Sequence, residues 1–121
     1  LVHGHSSHHP RPLEVYRGKL ILYGCGDLLN DYEGIGGYER YRPDLGLMYF
    51  PELDVGTGDL VRLTMTPTCL RRLRVNRADR GEARWLSAAL SRECEPFGAA
   101  LRLAPDGSLA LEWTDVVKAI A

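Results

Sequence analysis

The chain has 121 residues and is nearly neutral, with 15 Lys+Arg against 16 Asp+Glu and a formal net charge of -1. An apolar share of 45% and a charged share of 26% are ordinary for a globular domain and exclude disordered and fibrous classes. The even balance argues against a nucleic-acid binder, and no apolar run reaches the roughly 18 residues that span a bilayer.

All four histidines, His3, His5, His8 and His9, crowd the first stretch of the chain, before Pro10. Residue 1 is Leu, and a polar motif stands where most domains fray. The expectation is that residues 1–121 form a single unit that is the C-terminal portion of a longer protein.

Leu13 to Tyr23 reads as a hairpin. Leu13-Glu14-Val15-Tyr16 alternates, Arg17-Gly18 turns, and Lys19 to Tyr23 is β-branched, aromatic and apolar on both faces. From residue 24 to 44 periodicity disappears. A glycine-, acid- and tyrosine-rich loop of this length is uncommon in a compact domain unless it has a function.

Strands resume over 45–76. Leu45–Leu53 is one. After the turn at 54–59, Leu60–Thr66 is a second, with Val61, Leu63 and Met65 on one face and Pro67 as its end. Leu70–Val75 is a third. Asp79 to Glu95 carries the clearest helix signal. Asp79 and Glu82 have capping-box spacing, Ala83, Leu86, Leu90 and Cys94 share a face, and Pro96 stops the helix. Residues 99–113 read as a hairpin around Pro105-Asp106-Gly107, and 114–121 as a short final helix. The pattern predicts a β-rich α/β unit with a mixed sheet and one main helix.

Chemistry concentrates at three places. In Gly4-His5-Ser6-Ser7-His8-His9, neutral imidazoles three apart on a turn suit a divalent metal. His5 and His8 are the first candidates, and His3 and His9 the second. A surface cluster without a role and a tag remnant are the plain alternatives.

The second place is the glycine elbow Tyr23-Gly24-Cys25-Gly26-Asp27, where an apolar strand ends before acids. Asp27, Asn30 and Asp31 are candidates for binding a metal, orienting a ligand or contacting substrate, with simple capping of the turn as the plain alternative. A nucleophilic Cys25 needs a histidine base, and a small buried thiol is the plainer reading. The third is Arg40 and Arg42 beside Tyr38 and Tyr41, a pairing suited to phosphate or carboxylate but equally to a solvated loop. The arginine run Arg71, Arg72 and Arg74 reads as a solvated strand face. Cys25, Cys69 and Cys94 have no disulfide or zinc spacing and read as free thiols.

The positions Gly4-His5-x-x-His8, Pro12, Glu14, Tyr23, Gly26 and Asp27 resemble the C-terminal part of CapA-like proteins. This is the poly-gamma-glutamate capsule biosynthesis family of the calcineurin-like metallophosphoesterase superfamily. The resemblance is specific over the first part of the chain and loose beyond it. It implies a four-layer α/β/β/α fold and two divalent ions (Mn, Fe or Zn), with His5 and His8 in the role of the late metal ligands. It also implies phosphoester hydrolysis or capsule-polymer handling by the full-length chain, whose relatives are often associated with the cell envelope. The superfamily's earlier motifs, Asp-x-His, Gly-Asp and Gly-Asn-His, do not occur here in order. The expectation is therefore an inactive isolated chain that pairs with the missing N-terminal portion or self-associates. The expected ligand is an anionic or phosphorylated small molecule or polymer. The alternative is a non-catalytic binding module whose His turn holds a metal or an oligomer contact.

Overall fold

The computed structural model describes residues 1–5, 8–28, 42 and 44–114. Eight strands and one helix are present among them. They are β1 (Val2–His3), β2 (Leu13–Tyr16), β3 (Lys19–Leu22), β4 (Leu45–Leu53), β5 (Leu60–Arg71), β6 (Arg74–Arg77), α1 (Arg80–Cys94), β7 (Ala99–Leu103) and β8 (Leu109–Trp113). The final helix expected over 114–121 lies, apart from Thr114, outside the described residues.

Two sheets form. The smaller has the order β1-β3-β2, with β1 parallel and β2 antiparallel to β3. The larger is antiparallel throughout, in the order β4-β5-β8-β7, with β6 also paired to β5. The molecule is β-rich with one helix, and the smaller sheet is mixed, as the sequence pattern predicts.

One leucine-rich core joins the sheets. Leu13, Leu20 and Leu22 from the hairpin pack into the same cluster as Leu63, Met65 and Leu109 from the larger sheet and Leu86 and Leu90 from α1. Alternation along each strand and helical spacing along α1 put these residues on facing surfaces. Polar contacts close the seams. The Leu13 amide donates to Cys94 Sγ at 3.2 Å. Lys19 Nζ donates to Thr57 O at 2.8 Å and is ion-paired with Asp59.

The helix start follows the sequence signal closely. Glu82 N donates to Asp79 Oδ1 at 2.7 Å, and Asp79 N donates to Glu82 Oε1 at 2.9 Å. After Cys94 a 3-10 turn over Glu95–Phe97 contains Pro96 and ends at Gly98 with φ 70.

The 45–76 region corrects three expectations. Pro67 does not end β5; it pairs in register with Leu47. Its carbonyl accepts the Ala78 amide at 3.0 Å, on the side away from β4. Its nitrogen points the same way, into the gap between β8 and β6, so no ladder bond to β4 is lost. Leu70–Val75 is not one strand. The chain reverses at Arg72 and Leu73, both left-handed at φ 53 and 58, and returns as β6. Two non-glycine residues in that region cost roughly 1–2 kcal/mol each. Finally, Val61 does not share the buried face of Leu63 and Met65. Glu52 pairs with Arg62 and Leu53 with Leu60, so Val61 is the extra residue of a bulge and is exposed while Leu60 is buried.

Candidate functional site

The His turn sits against the end of β3 because the backbone comes unusually close there. The Gly4 amide donates to Leu22 O at 2.8 Å, and the Arg11 amide donates to Gly24 O at 2.9 Å. Pro10 bridges Cys25 in antiparallel fashion. A Cβ on Gly4 would lie 2.4 Å from Tyr23 O, and one on Gly26 would lie 2.8 Å from Pro10 N. Gly26 also has φ +76, which favours glycine. The elbow is pinned from its other side too, since a Cβ on Gly46 of β4 would meet Asp27 O at 2.8 Å.

This packing brings two of the candidates together. His8 Nδ1 lies 2.8 Å from Asp27 Oδ2. The His8 side chain is 62% exposed and that of Asp27 is 23% exposed. A carboxylate on Nδ1 selects the tautomer with the proton on Nδ1 and leaves the lone pair on Nε2. Two other residues of the family pattern also meet. Tyr23 Oη donates to Glu14 Oε2 at 2.9 Å, and that hydrogen bond raises the phenol's pKa. The Tyr23 ring stacks on Phe97 with centroids 5.4 Å apart.

The remaining candidates scatter. His3 lies on β1 with Nδ1 3.3 Å from Gly4 O, and His5 is exposed on the turn. His9 is half-buried and faces a groove of about 240 Å3 beside α1, which Arg42, Trp85 and Glu93 also line. Burial, and then the charge of Arg11, lower the His9 pKa. Arg42 donates through Nε and Nη2 to Asp44, at 3.0 and 2.9 Å, and lies over the Trp85 ring. Its fork is thus committed to an internal carboxylate. Asn30, Asp31 and Arg40 lie outside the described residues, as do Tyr38 and Tyr41. Cys25 is half-buried, and burial pushes its thiol pKa up, away from the thiolate a nucleophile requires.

Among the described residues, a group of metal-type donors occurs elsewhere, in a place the sequence pattern does not signal. Ligand atoms of Asp44, Cys69 and Glu82 lie within 4.8 Å of one another. Their chemistry does not favour a cation. Arg71 Nη2 donates to Glu82 Oε2 at 2.6 Å, and Arg42 Nη2 lies 3.5 Å from the same oxygen. Burial and the neighbouring Glu82 push the Cys69 thiol up to about 12, so it is neutral and donates to Asp44. Two guanidinium groups already balance the two carboxylates. Asp44, Glu82 and the arginines form an ion network that ties the start of β4 and the end of β5 to the first turn of α1.

No helix among the described residues is long and apolar enough to cross a membrane. The family model for the bacterial capsule synthesis protein PGA_cap matches residues 1–32. That range contains the His turn, the hairpin and the elbow. A probable polyglutamine synthesis accessory protein of Mycobacterium tuberculosis, found in two strains, is 49% identical over 109 residues. The match covers 90% of this chain but 29% of the relative, so the chain spans under a third of the length of these curated relatives. The chain is CapA-like, with its match to the bacterial capsule synthesis family in residues 1–32 and its kinship to the mycobacterial proteins running through nine-tenths of its length.

Proposed function

We propose that this chain serves bacterial capsule synthesis as part of a longer accessory protein for glutamate-polymer production, and that its His turn is the metal-ligating element. The observation that carries the reading is the 2.8 Å contact of His8 Nδ1 with Asp27 Oδ2, inside the stretch the capsule family matches. Carboxylates commonly hold metal-bound histidines in this way, because they fix the ring and raise its basicity.

The donor set fits a divalent ion such as Mn, Fe or Zn in kind and falls short in number. His8 offers Nε2, and His5 offers a second imidazole from the same turn. Asp27 orients His8 and does not coordinate. A divalent ion held there supplies Lewis-acid polarisation of a phosphoryl or carbonyl oxygen. Two imidazoles are fewer than a complete shell of four or more ligands. The other ligands, and the second ion of a two-metal site, come from the rest of the protein in a four-layer metallophosphoesterase arrangement. By itself the segment binds metal weakly and does not catalyse.

Handling of the polymer without hydrolysis is the second reading. The relatives' description as accessory proteins favours it.

The test is made in the producing cell, on the protein as its gene encodes it. Replacing both His5 and His8 by Ala is expected to abolish most surface glutamate polymer while protein abundance stays constant. Unchanged polymer with the double variant present at normal level overturns the metal-turn reading.

A further inference from the structure

The molecule's charge is unevenly placed. Between residues 71 and 84 stand Arg71, Arg72, Arg74, Arg77, Arg80 and Arg84, against only Asp79 and Glu82, in a chain whose net charge is -1. Both acids are used internally. Asp79 caps α1, and Glu82 completes the capping box and takes Arg71. Arg74 stands directly opposite Arg71 across the β5–β6 ladder. Like charges in facing positions oppose hairpin formation. At the tip, Arg72 and Leu73 both take left-handed backbone conformations that such turns normally give to Asn and Gly. Leu73 is 61% exposed, and Arg72, Arg74 and Arg77 are exposed around it. Arg80 spends one nitrogen on Pro105 O at 3.2 Å, and Asp106 is the acid whose charge reaches Arg77.

We propose that the β5–β6 hairpin is a peripheral docking surface for an anionic lipid bilayer. Arg72, Arg74 and Arg77 meet phosphate headgroups, and Leu73 enters the headgroup boundary. Charge complementarity selects an anionic partner. The exposed leucine between arginines selects a bilayer over a soluble polycarboxylate, because a polyanion gains nothing from an apolar apex whereas an interface buries it. This inference does not depend on the metal reading.

The test uses the protein as its gene encodes it, with vesicles of phosphatidylcholine alone or mixed with phosphatidylglycerol. In the Leu73→Trp variant, brominated lipid in the anionic vesicles should quench fluorescence beyond that lost by the unsubstituted protein, which reads the tip itself whatever else the protein binds through. Arg74→Gln and Arg77→Gln should each lower partitioning onto anionic vesicles about fivefold, and Leu73→Ser should lower it further. Equal binding to neutral vesicles, or no extra quenching at position 73, overturns the proposal. So does competition by soluble polyglutamate that needs the arginines but is indifferent to Leu73→Ser, which would assign the hairpin to the polymer.

Discussion

Around the His turn the decisive contacts are backbone against backbone. Gly4 lies under Tyr23 O, Gly26 against Pro10, and Gly46 against Asp27 O. Between the larger sheet and α1 they are side chain against side chain, with Leu63, Met65 and Leu109 of the sheet and Leu86 of the helix almost wholly inaccessible. The first arrangement spends few side chains on packing and leaves His5 and His8 exposed. The second buries one face of the sheet in the core, while Met48, Phe50 and Val61 stay exposed on the other. Position in the turn therefore tolerates little change in backbone volume. The sheet tolerates little change in side-chain volume.

Substitutions on the two sides should separate cleanly. Leu63→Ala in the sheet is expected to cost about 2–5 kcal/mol, seen as a large fall in melting temperature, with metal affinity intact in whatever remains folded. A loss under 1 kcal/mol would mean the core is not continuous there. Glu82→Gln should come next, at about 1–3 kcal/mol, because it removes the charged partner of Arg71 and weakens the cap of α1. Gly26→Ala should cost about 1–2 kcal/mol for the left-handed backbone alone, and unlike Leu63→Ala it should also weaken metal binding by displacing Asp27. If Gly26→Ala left metal affinity unchanged, the glycine spacing would not be what positions the site.

Acid should act on the ion network. The hydrogen bond from Arg42, together with its charge, holds the Asp44 carboxyl below its ordinary value of 3.8. Its contribution is therefore complete above that value and is lost as pH falls through it toward the lower folded pKa. Asp44→Asn should lower the melting-temperature plateau near neutrality and flatten the acid limb, because the contribution it removes is the one present above that value. The smallest effect concerns Cys25. Because burial raises its pKa, labelling by a thiol reagent at neutral pH should be slow. Rapid labelling would reopen the nucleophile reading.

What could be read from the sequence follows the range of each signal. The capping box at Asp79 and Glu82, the buried face of α1 and the hairpin at 99–113 are set by residues within one or two turns of each other, so local pattern suffices. Three features depend on partners far along the chain. Pro67 is harmless only because β8 stops and β6 starts on either side of it. Val61 turns outward only because β4 pairs around it. The two-residue β1 exists only because β3 lies alongside. The site divides the same way. The His-x-x-His pattern and the glycine elbow are local and legible, and the resemblance adds weight to both. The joining of His8 to Asp27 requires the backbone approach at Gly4 and Gly26. The assembly of Asp44, Cys69 and Glu82 from three elements has no sequence signature.

The account turns on Asp27 holding His8 in the orientation that binds metal. The direct measurement is calorimetric titration of the full-length protein with Mn2+ or Zn2+, comparing the unsubstituted protein with Asp27→Ala and His8→Ala. Loss of the high-affinity event with His8→Ala, and a Kd raised about 10–100-fold with Asp27→Ala in a protein of unchanged melting temperature, is the predicted result. Affinity and stoichiometry unchanged in both variants would contradict it.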